Sequence, residues 1–399
     1  MRRLVLGLLA FVLGASVVAA DIKMDVDITE KLSHFSEFRF PGNNHEGSWL
    51  KARGYIENQF KFYGLTVEKQ TFNATVSTIV DGEKTVEGVN IIGLAPAISN
   101  KPGAVVVVGA NYDSNTRDDP GPLFNNGAGI AALLETARLF MHNVKWSGAF
   151  KQNFTTIFVA FDLNTKEHDS GTSKPGGWYF VNEWLWDYLN KTDTNFGGAF
   201  VVDSIMNFNQ EPNSQDSSEN FRMMFPETFN SMAKDNMRGN FIGVVTQPDD
   251  KSKQLKDQFV GNYRKDRRRR PFRLEDMTLP TKLHQNQIIS ELTTQETVEF
   301  WSFQVNGTAM PLPAVLISDT EKLRKMPESP CGSKVCPAKA WLTEEREEFL
   351  VATVKGLTGT LLRRQTTRLP DIVDNGSEAA SLPSLFTTIF LLLIGRFYQ

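Results

Sequence analysis

The sequence predicts an α/β protein in which helices cover both faces of one mostly parallel central sheet. Short apolar runs rich in β-branched residues, such as residues 104–110 (AVVVVGA), are typical of strands buried on both faces. Longer segments between them carry apolar residues at helical spacing, as in residues 127–141. This alternation indicates parallel strands joined by crossover helices. No internal repeat is visible, and we expect one domain over residues 21–370.

The individual elements follow from the same two periodicities. Apolar residues three and four positions apart predict helices over residues 28–35, 48–63, 127–141, 178–189 and 343–363. Continuous or alternating apolar runs predict strands over residues 65–76, 86–94, 104–110, 155–162, 199–203 and 312–318.

Composition excludes several classes of protein. With 43 basic and 46 acidic residues the formal net charge is −3, which excludes a strongly basic nucleic-acid-binding protein. Two cysteines are too few for a disulfide scaffold or a cysteine-rich zinc module. Five histidines leave few candidates for a histidine-rich metal site. The hydrophobic fraction of 41% is that of a globular chain.

The first twenty residues have the pattern of a secretory signal peptide. Arg2 and Arg3 precede an apolar run, and small residues at 18–20 (VAA) form a cleavage site that makes Asp21 the first residue of the mature chain. An uncleaved membrane anchor is the alternative, although the run is short for a membrane span. The signal peptide predicts a protein of the secretory pathway that is secreted or held at the cell surface.

The C-terminal end carries a second targeting pattern. Residues 385–399 form a hydrophobic tail that includes LFTTIFLLLI, and residues 371–384 form a linker with the small residues Asn375, Gly376 and Ser377. A small-residue site, a spacer and an apolar tail predict a glycolipid anchor that is attached when the tail is removed. A C-terminal membrane anchor and an amphipathic terminal helix are the alternatives.

Two further features are those of a secreted chain. Five Asn-x-Ser/Thr sequons predict glycosylation at Asn73, Asn153, Asn190, Asn306 and Asn375. Cys331 and Cys336 enclose only four residues, and they predict a small disulfide loop, as expected in an oxidising compartment.

A basic segment interrupts the pattern between residues 248 and 280. It contains Arg267, Arg268, Arg269 and Arg270 in succession, and we expect an exposed insertion here. Such a run is a candidate site for an anionic glycan or for a processing protease with basic specificity. A solvated charged loop without a partner is the alternative.

One segment combines the third predicted strand with a distinctive loop. Residues 105–139 read VVVVGANYDSNTRDDPGPLFNNGAGIAALLETARL. The segment resembles the secreted zinc aminopeptidases of metallopeptidase family twenty-eight, a group that includes bacterial leucyl aminopeptidase and glutamate carboxypeptidase-like proteins. Their pattern is a strand, G-A-H-Y-D-S, a loop with P-G, and D-D-N-G-S-G before a helix. The resemblance implies a single phosphorylase/hydrolase-like domain.

The resemblance also implies where a metal site would lie. Family members bind two zinc ions, bridged by a carboxylate and a water, at the carboxyl ends of buried strands. In this sequence Asn111 stands at the first histidine position and Asn125 at the position of the bridging aspartate. Asn164 and Thr165 stand where the family has its catalytic glutamate pair.

The implied ligand set is therefore degraded. Asp203 keeps a carboxylate ligand position and Asp113 a supporting position, but no histidine follows residue 319 to complete the set. Amides are poor zinc ligands, and neither Asn164 nor Thr165 can act as a general base near neutral pH. We therefore expect no catalytic residue, no cofactor and no dizinc centre.

Neighbouring residues offer a rebuilt site as the alternative. Glu167, His168 and Asp169 lie just beyond the lost glutamate pair, and Asp118 and Asp119 could supply oxygens for calcium. Both groups lie in polar segments that also fit solvated loops.

Two classes of function follow from these observations. The first is a secreted or cell-surface glycoprotein without catalytic activity, whose former active-site cleft binds a peptide or protein and which reaches the membrane through a lipid anchor or its tail. The second is an active metallo-aminopeptidase or carboxypeptidase that uses zinc in a rebuilt or single-metal site. The loss of most of the carboxylate–histidine set favours the first, because a fold alone does not establish an activity.

Overall fold

A central sheet of eight strands organises the chain. The computed structural model describes residues 26–41, 46–78, 82–97, 103–114, 121–164, 174–265, 272–280, 296–326 and 336–370. Within these residues the eight strands form one mixed, mostly parallel sheet with helices on both faces. The predicted fold class, a single α/β domain with a mostly parallel sheet, is confirmed.

The described elements are numbered in chain order. The strands are β1 (Thr66–Thr78), β2 (Gly82–Ala95), β3 (Ala104–Asn111), β4 (Phe150–Gln152), β5 (Thr156–Phe161), β6 (Asn195–Asp203), β7 (Phe241–Thr246), β8 (Arg273–Thr278), β9 (Gln304–Val305), β10 (Thr308–Ala309), β11 (Ala314–Ser318) and β12 (Thr366–Arg368). The helices are α1 (Thr29–Ser33), α2 (Glu46–Phe62), α3 (Ala128–Met141), α4 (Gly176–Tyr179), α5 (Trp186–Thr192), α6 (Glu219–Met224), α7 (Pro226–Lys234), α8 (Asp250–Tyr263), α9 (Thr297–Trp301), α10 (Ala338–Trp341) and α11 (Glu344–Gln365). Turns of π-helix span His142–Trp146 and Phe180–Leu185, whereas Leu123–Gly127 is an irregular loop with non-helical backbone at Asn125 and Asn126.

The strand order places four parallel strands at the centre of the sheet. The order is β1-β2-β5-β3-β6-β11-β7-β8. β5, β3, β6 and β11 are parallel neighbours, whereas the hairpin β1–β2 closes one side antiparallel to β5. On the other side β7 runs antiparallel to β11 and pairs in parallel with the edge strand β8.

Alternation along β3 explains why helices cover both faces. Val106 and Val108 pack in the core layer that holds α2, α3, α8 and α11, whereas Val105 and Val107 pack in the layer of α5, α6, α7 and α9. All four valines are buried. Burying each of these side chains contributes roughly 1.5–3 kcal/mol, so a continuous valine run specifies a central strand.

The prediction of an exposed insertion over residues 248–280 is wrong for its described part. α8 buries Leu255 and Phe259 against the core, and Arg273–Thr278 forms the edge strand β8. The basic composition of this segment suggested an exposed loop. Most lysines of α8 do lie on its exposed side, but Leu255 and Phe259, four residues apart, form an apolar face that is buried. Arg267, Arg268, Arg269 and Arg270 lie outside the described residues.

The predicted modification sites fall in different environments. Asn73, Asn190 and Asn306 are exposed, whereas Asn153 is half-buried and its side-chain amide donates a 2.7 Å hydrogen bond to Oγ1 of Thr367. Cys336 is buried and disulfide-bonded. Cys331, Asn375, the predicted signal peptide and the predicted C-terminal tail lie outside the described residues. Over the described ranges, no helix is both long and apolar enough to cross a membrane.

Candidate functional site

The candidate site lies where the four central parallel strands end. Asn111 at the end of β3 pairs with Phe161 at the end of β5, and Asp203 at the end of β6 pairs with Ser318 at the end of β11. These strand ends and the residues that follow them therefore meet along one edge of the sheet. This edge is where open α/β sheets carry their binding sites.

One buried amide, that of Asn126, joins the ends of two strands. Its Nδ2 donates to Oδ1 of Asn111 at 2.8 Å and to the carbonyl of Val202 at 3.0 Å. Its Oδ1 accepts from the backbone N–H of Ser204 at 3.0 Å. A Cβ at residue 129 would lie 1.9 Å from Asn126 Oδ1, so the glycine at that position leaves the space that the amide needs. Three hydrogen bonds thus fix β3 and β6 to the loop before α3.

A row of amides and carboxylates continues from Asn111 across the edge. Asn111 Nδ2 donates to the carbonyl of Asp113 at 3.1 Å and approaches its Oδ1 at 3.5 Å. Oδ2 of Asp113 accepts from the backbone N–H of Asn164 at 2.9 Å. Nδ2 of Asn164 in turn donates to Oε1 of Glu296. All four side chains are buried, and the hydrogen bonds form one connected network.

Asp162, directly before Leu163 and Asn164, has a carboxylate that bonds to residues of three neighbouring elements. Its Oδ2 accepts from the hydroxyl of Tyr112 at 2.6 Å and from the N–H of Val89 at 2.8 Å, and its Oδ1 accepts from Trp49 Nε1 at 2.8 Å. Arg53 Nη2 lies 3.5 Å away. The carboxylate therefore ties β2, the end of β3 and α2 together.

The buried carboxyls of Asp113 and Asp162 both have raised pKa values. Burial, together with the charge of Asp162, raises the pKa of Asp113 well above its usual range. Burial also raises the pKa of Asp162, whereas Arg53 and the hydroxyl of Tyr112 act in the opposite direction. Because Asp162 has the cation and more donors, it is the member that keeps the negative charge when the pair holds one.

A buried arginine supports the loop that carries Asn125. Arg39 Nε donates to the carbonyl of Tyr112 at 2.6 Å, and its Nη2 donates to the carbonyls of Pro122 and Asn125, both at 3.2 Å. Nη1 donates to the carbonyl of Phe35 at 2.7 Å. The peptide bond between Asn125 and Asn126 is cis. Arg39 therefore holds the strand end of β3 and the loop before α3 in one arrangement.

Another buried carboxyl, that of Asp319, follows β11 on the strand next to Asp203. Oδ2 of Asp319 accepts from the N–H of Asn207 at 2.7 Å, and its Oδ1 accepts from the N–H of Glu321 at 2.9 Å. Burial raises the pKa of Asp319 to about 7, with Arg324 opposing the rise and Asp203 adding to it. Asp319 occupies the strand end at which the resemblance implies a histidine.

The structure places the predicted site residues in two groups. Asn111, Asp113 and Asn164 are joined by direct hydrogen bonds, and Asn125 and Asp203 are buried at the adjoining loop and strand end. The remaining predicted residues lie outside the described residues: Thr165, Glu167, His168, Asp169, Asp118 and Asp119.

Sequence reasoning missed four residues of the site. Asn126 was visible in the motif next to Asn125, but residue type gives no indication of which amide makes the bridge. Glu296 and Arg39 reach the site from segments without a motif. Asp319 could have been noticed as an acid directly after a buried strand, at an edge where sites are expected.

The donors at these positions do not fit a dizinc centre. Zinc sites require carboxylate, imidazole or thiolate ligands, and the family ligand positions 111, 125 and 164 carry amides. Asp203 keeps a carboxylate, and Asp319 follows β11 where the resemblance implies a histidine, but both oxygens of Asp319 accept backbone hydrogen bonds. Both polar atoms of the Asn111 amide are already engaged with Asn126 and Asp113. Among the described residues, no group of three or more His, Cys, Asp or Glu is arranged to hold a metal ion.

Comparison with known proteins places the fold. No family model and no curated protein match the sequence. Among solved structures, a glutaminyl cyclase from Macrostomum lignano matches with a TM-score of 0.51 at 14% identity, over 85% of this chain and 89% of that one. BSAP, a zinc aminopeptidase from Bacillus subtilis, matches with a TM-score of 0.51 at 12% identity, over 85% of this chain and 94% of that one.

These similarities establish a shared architecture. The chain has the α/β fold found in zinc aminopeptidases and glutaminyl cyclases. At 12–14% identity the likeness extends to the fold alone, and the chemistry of the strand-end edge has to be argued from its own residues.

Proposed function

We propose that this chain is a non-hydrolytic protein with a zinc-aminopeptidase-like fold, and that its strand-end cleft binds a peptide or protein ligand. The proposal rests on the bridge from the side-chain amide of Asn126 to Asn111 and to the carboxyl end of β6. Two strand ends that a metal would join through its ligands are joined here by an amide.

The chemistry of the edge supports binding rather than hydrolysis. Hydrolysis needs an activated water and a base with a pKa near the working pH. Three of the described family positions carry the amides of Asn111, Asn125 and Asn164, which neither take up a proton near neutral pH nor bridge two cations. Asp319 has a pKa of about 7, but both of its oxygens accept hydrogen bonds from the backbone N–H groups of Asn207 and Glu321. Amides donate and accept hydrogen bonds at once, and this property suits the N–H and carbonyl groups of a peptide.

Zinc-dependent hydrolysis is the test of this proposal. The full-length mature chain is incubated with aminoacyl amides, with added zinc and separately with chelator. We expect no difference between the two conditions in the rate of amide release. Hydrolysis that depends on zinc and is abolished by Asp203→Asn would contradict the proposal, with Asp276→Asn on the outer strand β8 as the matched control.

A second candidate function is a hydrolase with a rebuilt site, and one observation favours it. Glu296 brings a carboxylate against Asn164, at the position where the resemblance implies the catalytic glutamate pair. A carboxylate from another element would then replace the lost base. In that case Glu296→Gln would abolish zinc-dependent hydrolysis and leave the folded state intact, because Gln keeps an acceptor for Asn164 Nδ2.

We further propose that the chain is secreted and held on the outer cell surface by a glycolipid. The signal pattern at residues 1–20, the sequons and the small-residue site at residues 375–377 support this localisation. A phosphatidylinositol-specific phospholipase should release the protein from cells. Retention of the protein together with the 385–399 peptide in a mass spectrum would favour a C-terminal membrane helix.

A further inference from the structure

The two outermost strands of the described sheet differ in how their outer edges are protected. β8 is six residues long and carries Arg273, Glu275 and Asp276. β1 is thirteen residues long, and among the described strands it pairs only with β2. Short length and charged side chains discourage a strand of another molecule from pairing with an edge. β8 therefore has both kinds of protection, whereas the length of β1 makes its edge a site for such pairing.

Charged side chains on β1 are confined to its first four residues. Glu68 accepts a 3.0 Å hydrogen bond from Nε1 of Trp184, and Nζ of Lys69 lies 3.5 Å from Oε2 of Glu57. The remaining residues 70–78 read QTFNATVST, with no charged residue, no proline and no glycine. Their pairing with β2 is antiparallel in one continuous register. Uncharged segments rich in threonine, valine and phenylalanine are typical of strands that pair with other chains.

The burial pattern shows which side of this segment solvent can reach. Phe72, Ala74 and Val76 are buried in the core, so the inner face of β1 is occupied. Thr71 and Asn73 alternate with them and are exposed. The accessible parts of residues 70–78 are therefore the outer face and the edge that no described strand pairs with. This edge is about 30 Å long at the rise of an antiparallel strand.

A glycosylation sequon lies in the middle of the uncharged segment. Asn73, Ala74 and Thr75 form the triplet, and Asn73 is next to the central residue of 70–78. The hydroxyl of Tyr179 donates a 2.8 Å hydrogen bond to the backbone carbonyl of Asn73, whose side chain is exposed. An oligosaccharide on Nδ2 of Asn73 would therefore project from a fixed point of the strand.

We propose that Asn73 carries an N-linked oligosaccharide that shields the edge of β1 from pairing with a second copy of this chain. A strand paired with this edge would lie about 4.8 Å from β1, with its nearest side chain about 5 Å from the Cβ of Asn73. An oligosaccharide of several rings is wider than this spacing, so it excludes the incoming strand. The inference rests on the proposed secretory route, because sequons receive their sugars there.

Two other exposed sequons provide matched controls. Asn190 lies in α5, and Asn306 lies between the short strands β9 and β10. Neither residue is on a strand of the central sheet. A sugar at either position reports passage through the secretory route without shielding the edge of β1.

Glycan mapping and the mass of the secreted chain test the proposal. The full-length chain is expressed in cultured eukaryotic cells, its sequons are mapped by mass spectrometry, and its mass is measured by light scattering after size exclusion. We expect a sugar at Asn73 and a monomer. Asn73→Gln should form dimers or larger species at the same concentration, with slowed hydrogen exchange over residues 66–78. Asn190→Gln, which loses a sugar elsewhere, and Thr75→Ser, which keeps the sequon, should stay monomeric.

A charged residue at the same position separates edge protection from other effects of the sugar. Asn73→Lys lacks the sequon but places a cation on the strand, as natural edge strands do. We expect this variant to be secreted as a monomer, even if Asn73→Gln is retained in the cell. Association of both variants, or loss of secretion in both, would overturn the proposal.

The sugar map separates the shielding of β1 from the secretory route on which it rests. Sugars at Asn190 and Asn306 but not at Asn73 would overturn the shielding and leave the route standing. A chain without sugar at any of its sequons would contradict the route as well. A monomeric Asn73→Gln chain would overturn the shielding, as would an unmodified chain that already associates through residues 66–78.

Discussion

Nδ2 of Asn126 donates a 2.8 Å hydrogen bond to Oδ1 of Asn111, and this contact joins the loop before α3 to the end of β3. The same amide also bonds to both sides of Asp203, through the carbonyl of Val202 and the N–H of Ser204. One amide thus links the carboxyl ends of β3 and β6 through direct hydrogen bonds.

Removal of the bridging amide should destabilise the protein. Asn126→Ala leaves the amide oxygen of Asn111, the carbonyl of Val202 and the N–H of Ser204 without this partner in a buried site. We expect a loss of about 2–4 kcal/mol in the free energy of unfolding, measured by urea titration. Gln254→Ala, an exposed amide on α8, should change it by less than about 0.5 kcal/mol. Equal effects of the two substitutions would show that the bridge does not stabilise the fold.

A carboxylate at residue 111 should destabilise the fold at neutral pH. In Asn111→Asp an anionic oxygen replaces the amide nitrogen that now faces the carbonyl and Oδ1 of Asp113. We expect a loss of about 1–3 kcal/mol in chelator at pH 7, because the new carboxylate is buried against the carbonyl oxygen of Asp113, in place of the amide N–H that now donates to it.

Lowering the pH should reduce the stability deficit of Asn111→Asp, because the new carboxyl has a raised pKa in the folded state. Burial and the facing carbonyl oxygen of Asp113 raise the pKa of the new carboxyl in the folded state above its unfolded value near 4. The folded state therefore binds the proton more tightly, and the deficit shrinks as the pH falls towards 5. Chemical unfolding at pH 7 and pH 5 measures it, and a deficit that is equal at both pH values would mean that residue 111 does not face Asp113.

Glu296 should matter as a hydrogen-bond acceptor. Glu296→Ala leaves Nδ2 of Asn164 without this acceptor in a buried site, and we expect a loss of about 1–3 kcal/mol. Glu296→Gln keeps an oxygen for Asn164 and should lose less. Thermal unfolding of both variants gives the comparison, and a larger loss in the glutamine variant would show that the charge of Glu296 stabilises the site.

Asp319 should make stability depend on pH. Burial raises the pKa of Asp319 to about 7, so the folded protein takes up a proton that the unfolded chain, with a pKa near 4, does not hold between these values. The contribution of Asp319 to stability is therefore lost as the pH rises from about 4 to 7, by up to about 1.4 kcal/mol per pH unit. Asp319→Asn should reduce this slope, whereas the exposed control Glu211→Gln should not. An unchanged slope in Asp319→Asn would show that the residue does not titrate in this range.

Local sequence predicted the parts of the fold that have strong periodicity. The valine run of β3 and the small-to-large apolar face of α3 agree with the structure because burial on both sides leaves little choice of residue. The strand β7, the helix α8 and the edge strand β8 were not predicted. In the last two, charged residues on the solvent side dilute the apolar signal.

The sequence predicts only those site residues that directly follow a buried strand. Asn111, Asp113 and Asn164 follow buried strands, so topology alone brings them to one edge. Glu296 could not be found this way, because its contact with Asn164 spans 132 residues and depends on the packing of α9. The backbone conformation of the loop decides whether Asn125 or Asn126 forms the bridge. That conformation cannot be read from the residue types alone.

The metal content of the folded protein tests the central claim most directly. The full-length mature chain, purified without chelator, is analysed for zinc by elemental analysis, and its melting temperature is measured before and after treatment with chelator. If amides rather than metal ions hold the strand ends together, the chain contains well under one zinc ion and its melting temperature does not change. Two tightly held zinc ions per chain, with a fall in melting temperature on their removal, would contradict the account.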